Sequence, residues 1–330
     1  MTVLVTGGAG YIGSHMVWAL LDAGEDVVVV DRLSTGFDWA IPPEARLIRA
    51  DIADAAAMAD ILKAHEIEAI VHFAGSISVP ESIADPLSYY QNNTANSLGL
   101  IRSAIDAGVK KFVFSSTAAV YGTPDDDRPV TETDPTCPKS PYGASKLMTE
   151  TMLGDTAAAH DFRYVALRYF NVSGADPEGR TGQSTRGAVN LIKVATETAM
   201  GKREAIEVFG TDYPTRDGTC VRDFIHVTDL VAAHLDALGY LRRGGDSLVA
   251  NCGYGRGYTV QEVLDAVRRG SGRDFKIHRG PRRTGDIVTS VANSTRARTV
   301  LDWTPRHDSL DEIVGSALAW EASLARRNHK

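Results

Sequence analysis

Tyr142 and Lys146 stand four residues apart in the segment SPYGASK (140–146), a phenol followed one helical turn later by an ammonium. Residues at i and i+4 share a helix face. Free tyrosine ionises near pH ~10. A lysine ammonium beside it favours the phenolate, so the pair can act as a general base that removes a hydroxyl proton near neutral pH. Tyr–Lys pairs also occur as plain packing on exposed helices, and a third group bears on the choice. Thr117, in KFVFSSTAAVYG, lies just past an apolar run that reads as a buried strand. Its hydroxyl can bridge a substrate hydroxyl and the phenol, although a hydroxyl at such a place can also cap a turn.

The elements that must position these groups follow from the hydrophobic pattern. VLVT (3–6), VVVVD (27–31), RLIRAD (46–51), AIVHFAG (69–75), KFVFSST (111–117) and YVALRYFN (164–171) read as strands. They are near-continuously apolar, as expected when both faces of a parallel sheet are covered. Helical stretches separate them, including IGSHMVWALLDAG and AAAMADILKAH. The βαβ rhythm predicts an α/β protein with a doubly wound parallel sheet. Past residue 173 the rhythm breaks. Loops rich in Gly, Asp, Pro and Thr alternate with amphipathic helices at 229–241, 259–270 and 309–327. The expected division is residues 1–173 for the sheet domain and 174–330 for a smaller α+β lobe. The helix near 226–242 is placed to pack back onto the first sheet.

VTGGAGYIG puts Gly7, Gly10 and Gly13 between the first strand and the first helix. Such glycines allow a tight turn and let the backbone approach a diphosphate at the helix N-terminus. Asp31, closing the second strand, is placed to take ribose hydroxyls and to repel a 2′-phosphate. That favours NAD over NADP and makes the first domain Rossmann-type. Arg32 is either a solvated charge or a residue that softens this preference. Asp51, at the end of the third strand, is placed to reach the adenine edge, and Phe73, Ala74 and Gly75 line the same crevice. With an oxidised nicotinamide and Lys146 both near, the Tyr142 pKa is expected to fall toward neutrality while a carbon-bound hydride leaves for NAD.

The 330 residues suggest about two domains, and the 43% hydrophobic and 23% charged content is that of a globular protein. A net charge of −7 without long basic runs argues against a nucleic-acid or anionic-membrane partner. Three scattered cysteines (Cys137, Cys220, Cys252) make no disulfide framework or metal spacing and fit a reducing cytosol. The strand-like VLVT at the start leaves no room for a signal peptide, and no apolar run reaches the ~20 residues of a spanning helix. A cytoplasmic location is the expectation.

Together Gly7/Gly10/Gly13, Asp31, Thr117 and Tyr142-x-x-x-Lys146 resemble an extended short-chain dehydrogenase/reductase. More narrowly, VTGGAGYIGSH, FAGSISVPES, YYQNN, SPYGASKLMTE, LRYFNVSGA, YPTRDGTCVRDFIHVTDL and PRRTGD are similar to the UDP-glucose (UDP-galactose) 4-epimerase family over nearly the whole chain. The resemblance implies an isomerase that keeps NAD bound as a transient oxidant. Tyr142 would be the base at the sugar 4-hydroxyl and Thr117 would relay or orient the proton. Lys146 would hold the nicotinamide ribose and tune Tyr142. The 4-ketosugar would turn over about its diphosphate link and take the hydride back on its other face.

By the same resemblance, Tyr11, Ile12, Arg32 and Ile52 lie beside the cofactor, as do Asn92, Ser115 and Tyr169. Asn171 binds the sugar–phosphate region, and Asn190 and Leu191 lie beside the nucleotide. Val208 and Phe209 flank the uracil, Arg222 and Arg283 pair with the diphosphate, and Asp286 binds the uridine ribose. Planar guanidinium forks suit a diphosphate. The second lobe is then the UDP-sugar-binding domain. Homodimers are expected, pairing segments 86–107 and 141–160.

Two positions depart from the family pattern. Thr117 replaces a frequent serine and keeps the oxygen, whereas Ile77 stands where several relatives place a lysine that reaches the cofactor phosphates. Ser290 borders the sugar pocket, where some relatives carry tyrosine, so N-acetylated UDP-hexoses are expected to be accepted. Alternatives are a UDP-pentose epimerase, a nucleotide-sugar 4,6-dehydratase, or a catalytically silent NAD-sensing protein. Ala118 and Ala119 after Thr117 lack the acid a dehydratase needs, and the joint presence of Thr117, Tyr142 and Lys146 weighs against a silent protein.

Overall fold

Alternating residues of each N-terminal strand are buried toward opposite faces of one sheet. Val3, Val5, Val27, Val29, Val113 and Val165 join one apolar core, and Leu4, Val28, Val30, Ile70, Phe112 and Phe114 join another. Each such side chain is worth ~1.5–3 kcal/mol when fully buried, so a strand with two covered faces is held from both. The computed structural model describes residues 1–122, 128–283 and 286–327. Thr284 and Gly285 of the PRRTGD stretch lie outside them.

The first elements are β1 (Thr2–Thr6), α1 (Tyr11–Asp22), β2 (Asp26–Asp31), β3 (Arg46–Arg49), α2 (Ala55–Ala64) and β4 (Ala69–His72). Next come α3 (Val79–Ala84), α4 (Pro86–Tyr89), a π-helical turn (Tyr90–Ala95), α5 (Asn96–Asp106) and β5 (Lys111–Ser115). The chain continues through α6 (Pro141–Ala159), β6 (Arg163–Tyr169), β7 (Asn171–Ser173), α7 (Leu191–Ala199), β8 (Ala205–Phe209) and β9 (Val221–His226). It ends with α8 (Val227–Arg242), β10 (Leu248–Cys252), β11 (Gly257–Thr259), α9 (Val260–Ser271), β12 (Lys276–Gly280), β13 (Thr289–Ser290), α10 (Thr295–Val300) and α11 (Leu310–Arg327).

Seven parallel strands form the main sheet in the order β10-β6-β5-β4-β1-β2-β3. The order reverses direction between β1 and β4, and in such sheets ligands bind outside the carboxyl ends of the strands at that point. Helices α1 and α8 cover one face, and α2, α5 and α6 the other. The helix read at 229–241 thus lies on the main sheet. So does β10, an edge strand drawn from well past residue 173, in parallel register with β6.

The strands stop sooner than their apolar runs suggest, at Arg49, His72, Ser115 and Tyr169. Asp51, Phe73–Gly75 and Thr117 therefore lie in the loops at the carboxyl edge rather than within strands. Asn171 opens β7, which leaves the main sheet and pairs with β9. The second sheet runs β11-β9-β13 with β7 also on β9, while β8 and β12 form a separate parallel pair. Helices α7, α9 and α11 cover these through a third core containing Ile206, Val208, Phe224, Val263 and Val314.

Candidate active site

At the reversal point the turn from β1 to α1 is closed by backbone contact. Gly7 has φ +69°, and a Cβ there would stand 2.6 Å from the Ala74 nitrogen. A Cβ on Gly13 would lie 2.2 Å from the Gly7 carbonyl oxygen. Only glycine permits both approaches. Gly10 caps α1 with extended backbone and no side-chain bond, so the N–H groups of the first turn, at Tyr11 and Ile12, remain donors without an intrahelical partner. That set suits a phosphate. The Tyr11 hydroxyl donates to the Gly174 carbonyl at 2.7 Å and ties the turn to the second lobe.

Asp31 closes β2. Its two oxygens accept from the Ala9 and Leu33 backbone nitrogens at 2.9 and 2.7 Å, and a carboxylate keeps further acceptor sites for ribose hydroxyls. Arg32 donates to Asp51 at 3.1 Å, both being partly exposed. This joins two residues read separately from the sequence and gives Arg32 a partner in place of open solvent. Ile52 is buried. A tight glycine turn, an unshielded helix start and an acid at the tip of β2 fit the adenosine diphosphate portion of NAD.

The chemical end lies across β4, β5 and α6. Ser140 caps α6 by accepting from the Gly143 nitrogen at 3.2 Å, and Pro141 fills the first helical position, where a missing N–H costs nothing. Tyr142 follows and is buried. Thr117 caps a short 3-10 turn by accepting from the Ala119 nitrogen at 3.2 Å, and its hydroxyl is near enough to the Tyr142 phenol to favour the ionised form. The capping role is therefore present. Ser115 donates to the Tyr169 hydroxyl at 2.9 Å.

Lys146 makes no hydrogen bond to Tyr142. Its Nζ donates to the Ser115 carbonyl at 3.0 Å and stands 4.9 Å from the centre of the Phe114 ring. Burial pushes this ammonium down to about 8, with the Glu150 charge opposing. Tyr142 is governed by burial in the protein without cofactor. Burial pushes its phenol above the usual tyrosine range, and the Thr117 hydroxyl pulls it only partly back. In the protein alone desolvation wins, so bringing Tyr142 toward neutrality takes a further positive charge beside it.

Gly75 faces both halves of this end: a Cβ there would stand 3.0 Å from Asn93 Oδ1 and 3.7 Å from Lys146 Nζ. The π-helical turn turns Asn92 and Asn93 toward the loop after β4. Asn92 donates to Ser76 Oγ at 2.9 Å. Asn93 accepts from the Ser76 nitrogen at 2.7 Å and donates to Ser145 Oγ at 3.0 Å, tying the loop to α6. Single π turns often mark functional places.

The predicted substrate residues form two groups. Asn171, on β7, donates to the Asp223 carbonyl of β9 at 3.2 Å. Arg222 on β9 is paired in register with Ser290 on β13, and its guanidinium donates to the Val221 carbonyl at 2.9 Å. In the second group the Arg283 guanidinium lies 4.4 Å from the Phe209 ring centre, at the end of β8, and its Nε donates to Asp286 at 3.2 Å. Val208 is buried beneath Phe209. Asn190 caps α7 ahead of Leu191 and accepts from Gln183 at 3.0 Å.

Residues 3–253 match the NAD dependent epimerase/dehydratase family. The chain belongs to that family. It is 56% identical to a UDP-glucose 4-epimerase of Azospirillum brasilense over 98% of this chain and 92% of the relative. Among solved structures, a UDP-glucose 4-epimerase from Stenotrophomonas maltophila, with bound NAD and formylated UDP-arabinopyranose, is 40% identical. It superposes with a TM-score of 0.95 over 99% of both chains. The UDP-Glc/GlcNAc 4-epimerase of Campylobacter jejuni is 44% identical, with a TM-score of 0.86 over 98% of this chain and 99% of that one.

Three side chains touching the site escaped the sequence reading. Asn93 is one, and YYQNN offered two adjacent asparagines without showing that a π turn brings both to bear. Ser116 and Glu150 are the others. Glu150 prolongs the Tyr142/Lys146 stripe by one more helical turn, a signal that could have been used.

Proposed function

We propose that this chain is a UDP-glucose 4-epimerase, an isomerase that interconverts UDP-glucose and UDP-galactose. The observation that carries the reading is Tyr142 buried at the start of α6, beside the Thr117 hydroxyl and one turn from the Lys146 ammonium. When bound, NAD supplies a reversible acceptor for the hydrogen on C4, which lets that carbon pass through a ketone. Tyr142 removes the proton from the 4-hydroxyl and returns it after the sugar has presented its other face. Thr117 holds that hydroxyl against the phenol. Lys146 keeps a positive charge beside the ribose side of the cofactor, and Tyr169 and Ser115 fix the strand ends that Lys146 leans on.

Residues 1–173 carry the cofactor in this reading, and the later residues carry the UDP-sugar, with α8 and β10 returning to the first sheet. Arg222 and Arg283 take the diphosphate, Phe209 stacks on the uracil, and Asp286 takes the uridine ribose. Small Ser290 beside Arg222 leaves room at the sugar 2-position, and the similarity to the UDP-Glc/GlcNAc enzyme supports acceptance of N-acetylated substrates. A homodimer is supported by apolar side chains left exposed on the two helical segments expected to pair: Leu87 (77%), Leu98 (48%) and Met148 (45%). No helix among the described residues is long and apolar enough to cross a membrane, and all three cysteines are free, which suits the cytoplasm.

The test is incubation of the purified protein with UDP-galactose, followed by product analysis. UDP-glucose should form to equilibrium without consumption of added nicotinamide cofactor. Absence of that product from NAD-loaded protein would remove the reading.

A further inference from the structure

Tyr142, Lys146 and Glu150 stand at successive turns on one face of α6, and the groups they meet, Ser115, Ser116 and Thr117, are consecutive at the end of β5. The Thr117 hydroxyl favours the Tyr142 phenolate, the Ser115 carbonyl accepts from Lys146 at 3.0 Å, and Ser116 Oγ donates to Glu150. Glu150 is buried, and Arg168 on β6 grips it from the far side. Nη2 lies 2.6 Å from one carboxylate oxygen, and Nε lies 3.0 and 3.1 Å from the two. The Arg168 guanidinium in turn lies 4.8 Å from the Tyr121 ring centre. Buried ion pairs are weak contributors to a fold, because apolar replacements of like volume often serve as well. This pair sits one turn beneath Lys146 and one residue from Thr117, where a charge and a fixed strand end matter to the reaction.

We propose that Glu150 is a positioning residue of this active site: it holds Ser116, and with it Thr117, in step with α6 and keeps a negative charge against the Lys146 ammonium. The proposal rests on the roles given above to Tyr142, Thr117 and Lys146. The groups surrounding Lys146 leave Glu150 as its counter-charge. Tyr142 shares its helix, Tyr169 on β6 reaches it through Ser115, and Arg168 is bound to Glu150. His72 on β4 is held neutral, pushed down to about 3 by burial and by the Lys146 charge.

Two variants test it in NAD-loaded protein. Glu150→Gln removes the charge and leaves Arg168 buried without its partner; the double variant Glu150→Gln with Arg168→Met removes that penalty too. The Lys146 titration is followed by NMR of protein carrying 13Cε-labelled lysine, with Lys146→Met as the assignment control. Beside it, the alkaline limb of the kcat–pH profile is recorded with saturating UDP-galactose. The proposal expects both the titration and the alkaline limb to move down by ~1 unit in Glu150→Gln, and by less in the double variant, where loss of the Arg168 cation offsets part of the lost carboxylate. A Lys146 titration that stays at its wild-type pH in Glu150→Gln, or in the double variant if that alone folds, overturns it. If the titration moves and the limb does not, the catalytic role of Lys146 falls, and Glu150's hold on the ammonium stands. Failure of both variants to fold assigns the pair to the core and overturns the proposal as well.

Discussion

The two ends of the substrate cleft are built differently. At the chemical end Tyr142, Lys146, Thr117 and Ser115 are buried, and the last three are held by hydrogen bonds. At the nucleotide end Arg283 is about half exposed and its bond to Asp286 spans only three residues of one loop. Exposed pairs of that kind contribute ~0–1 kcal/mol to stability. In the proposed reading the fold therefore fixes in advance the groups assigned to proton transfer, and it leaves the charges assigned to the diphosphate free to exchange one partner for another on binding. Precision matters most where a proton must travel a fixed path, and adaptability is tolerable where a long ligand is merely gripped.

That contrast can be broken in several places. The largest effect is expected at the buried end: Tyr142→Phe keeps the ring packing and NAD binding but should lower kcat by ~10²–10⁴-fold, measured by conversion of UDP-galactose. At the exposed end Arg283→Leu should raise KM by ~10–100-fold with kcat changed little, since the lost charged hydrogen bonds act alike on bound substrate and transition state. Its melting temperature should stay at the wild-type value. A large fall in stability there would show that the nucleotide end is as rigid as the other.

A pH series sharpens the difference further. Lys146 is shifted from 10.5 down to about 8 in the folded protein, chiefly by burial. A group with a depressed folded pKa contributes stability that is fully present above its unfolded value and is lost as pH falls through the folded one. The stability of wild type relative to Lys146→Met should thus rise between about pH 8 and 10.5. With the ammonium in the role proposed for it, activity should fall as pH rises through about 8. Opposite trends in unfolding midpoint and kcat check this, and parallel trends would contradict it.

Smaller effects belong to pocket size and cofactor grip. Ser290→Tyr should abolish conversion of UDP-N-acetylglucosamine while sparing most turnover of UDP-galactose, because a bulky ring blocks one substrate only. If wild type itself fails to convert the acetylated pair at saturating concentration, the roomy pocket is not there. Ile77 is 61% exposed at the loop after β4. Ile77→Lys should slow loss of NAD during dialysis by adding a cation near the phosphates, and equal retention in both proteins would mean that Ile77 points elsewhere.

Much of this was readable in local pattern. Strands β1 to β6 announced themselves as short apolar runs, the glycine turn by its spacing, and the Tyr142–Lys146 pair by one helical turn. What escaped was nonlocal. LVANC (248–252) looks like any short strand, and nothing in it says that it will lie beside residues 163–169. The same holds for the Arg168–Glu150 pair, which depends on β6 lying against α6. The backbone carbonyl that captures the Lys146 ammonium also belongs to a strand end whose height no periodicity reports. The π turn at 90–95 likewise depends on what α6 and the loop after β4 offer its asparagines.

The central claim is that Tyr142 works on the oxygen at C4 and never on the carbon. Epimerisation of UDP-galactose in D2O, followed by mass spectrometry of the UDP-glucose formed, tests it most directly. The account predicts a product whose C4 hydrogen is retained, with deuterium confined to exchangeable hydroxyls, and no product from Tyr142→Phe beyond the residual rate. Deuterium at C4 in the first turnover would mean that a base removes the carbon-bound proton, and the roles assigned to Tyr142, Thr117 and Lys146 would all be wrong.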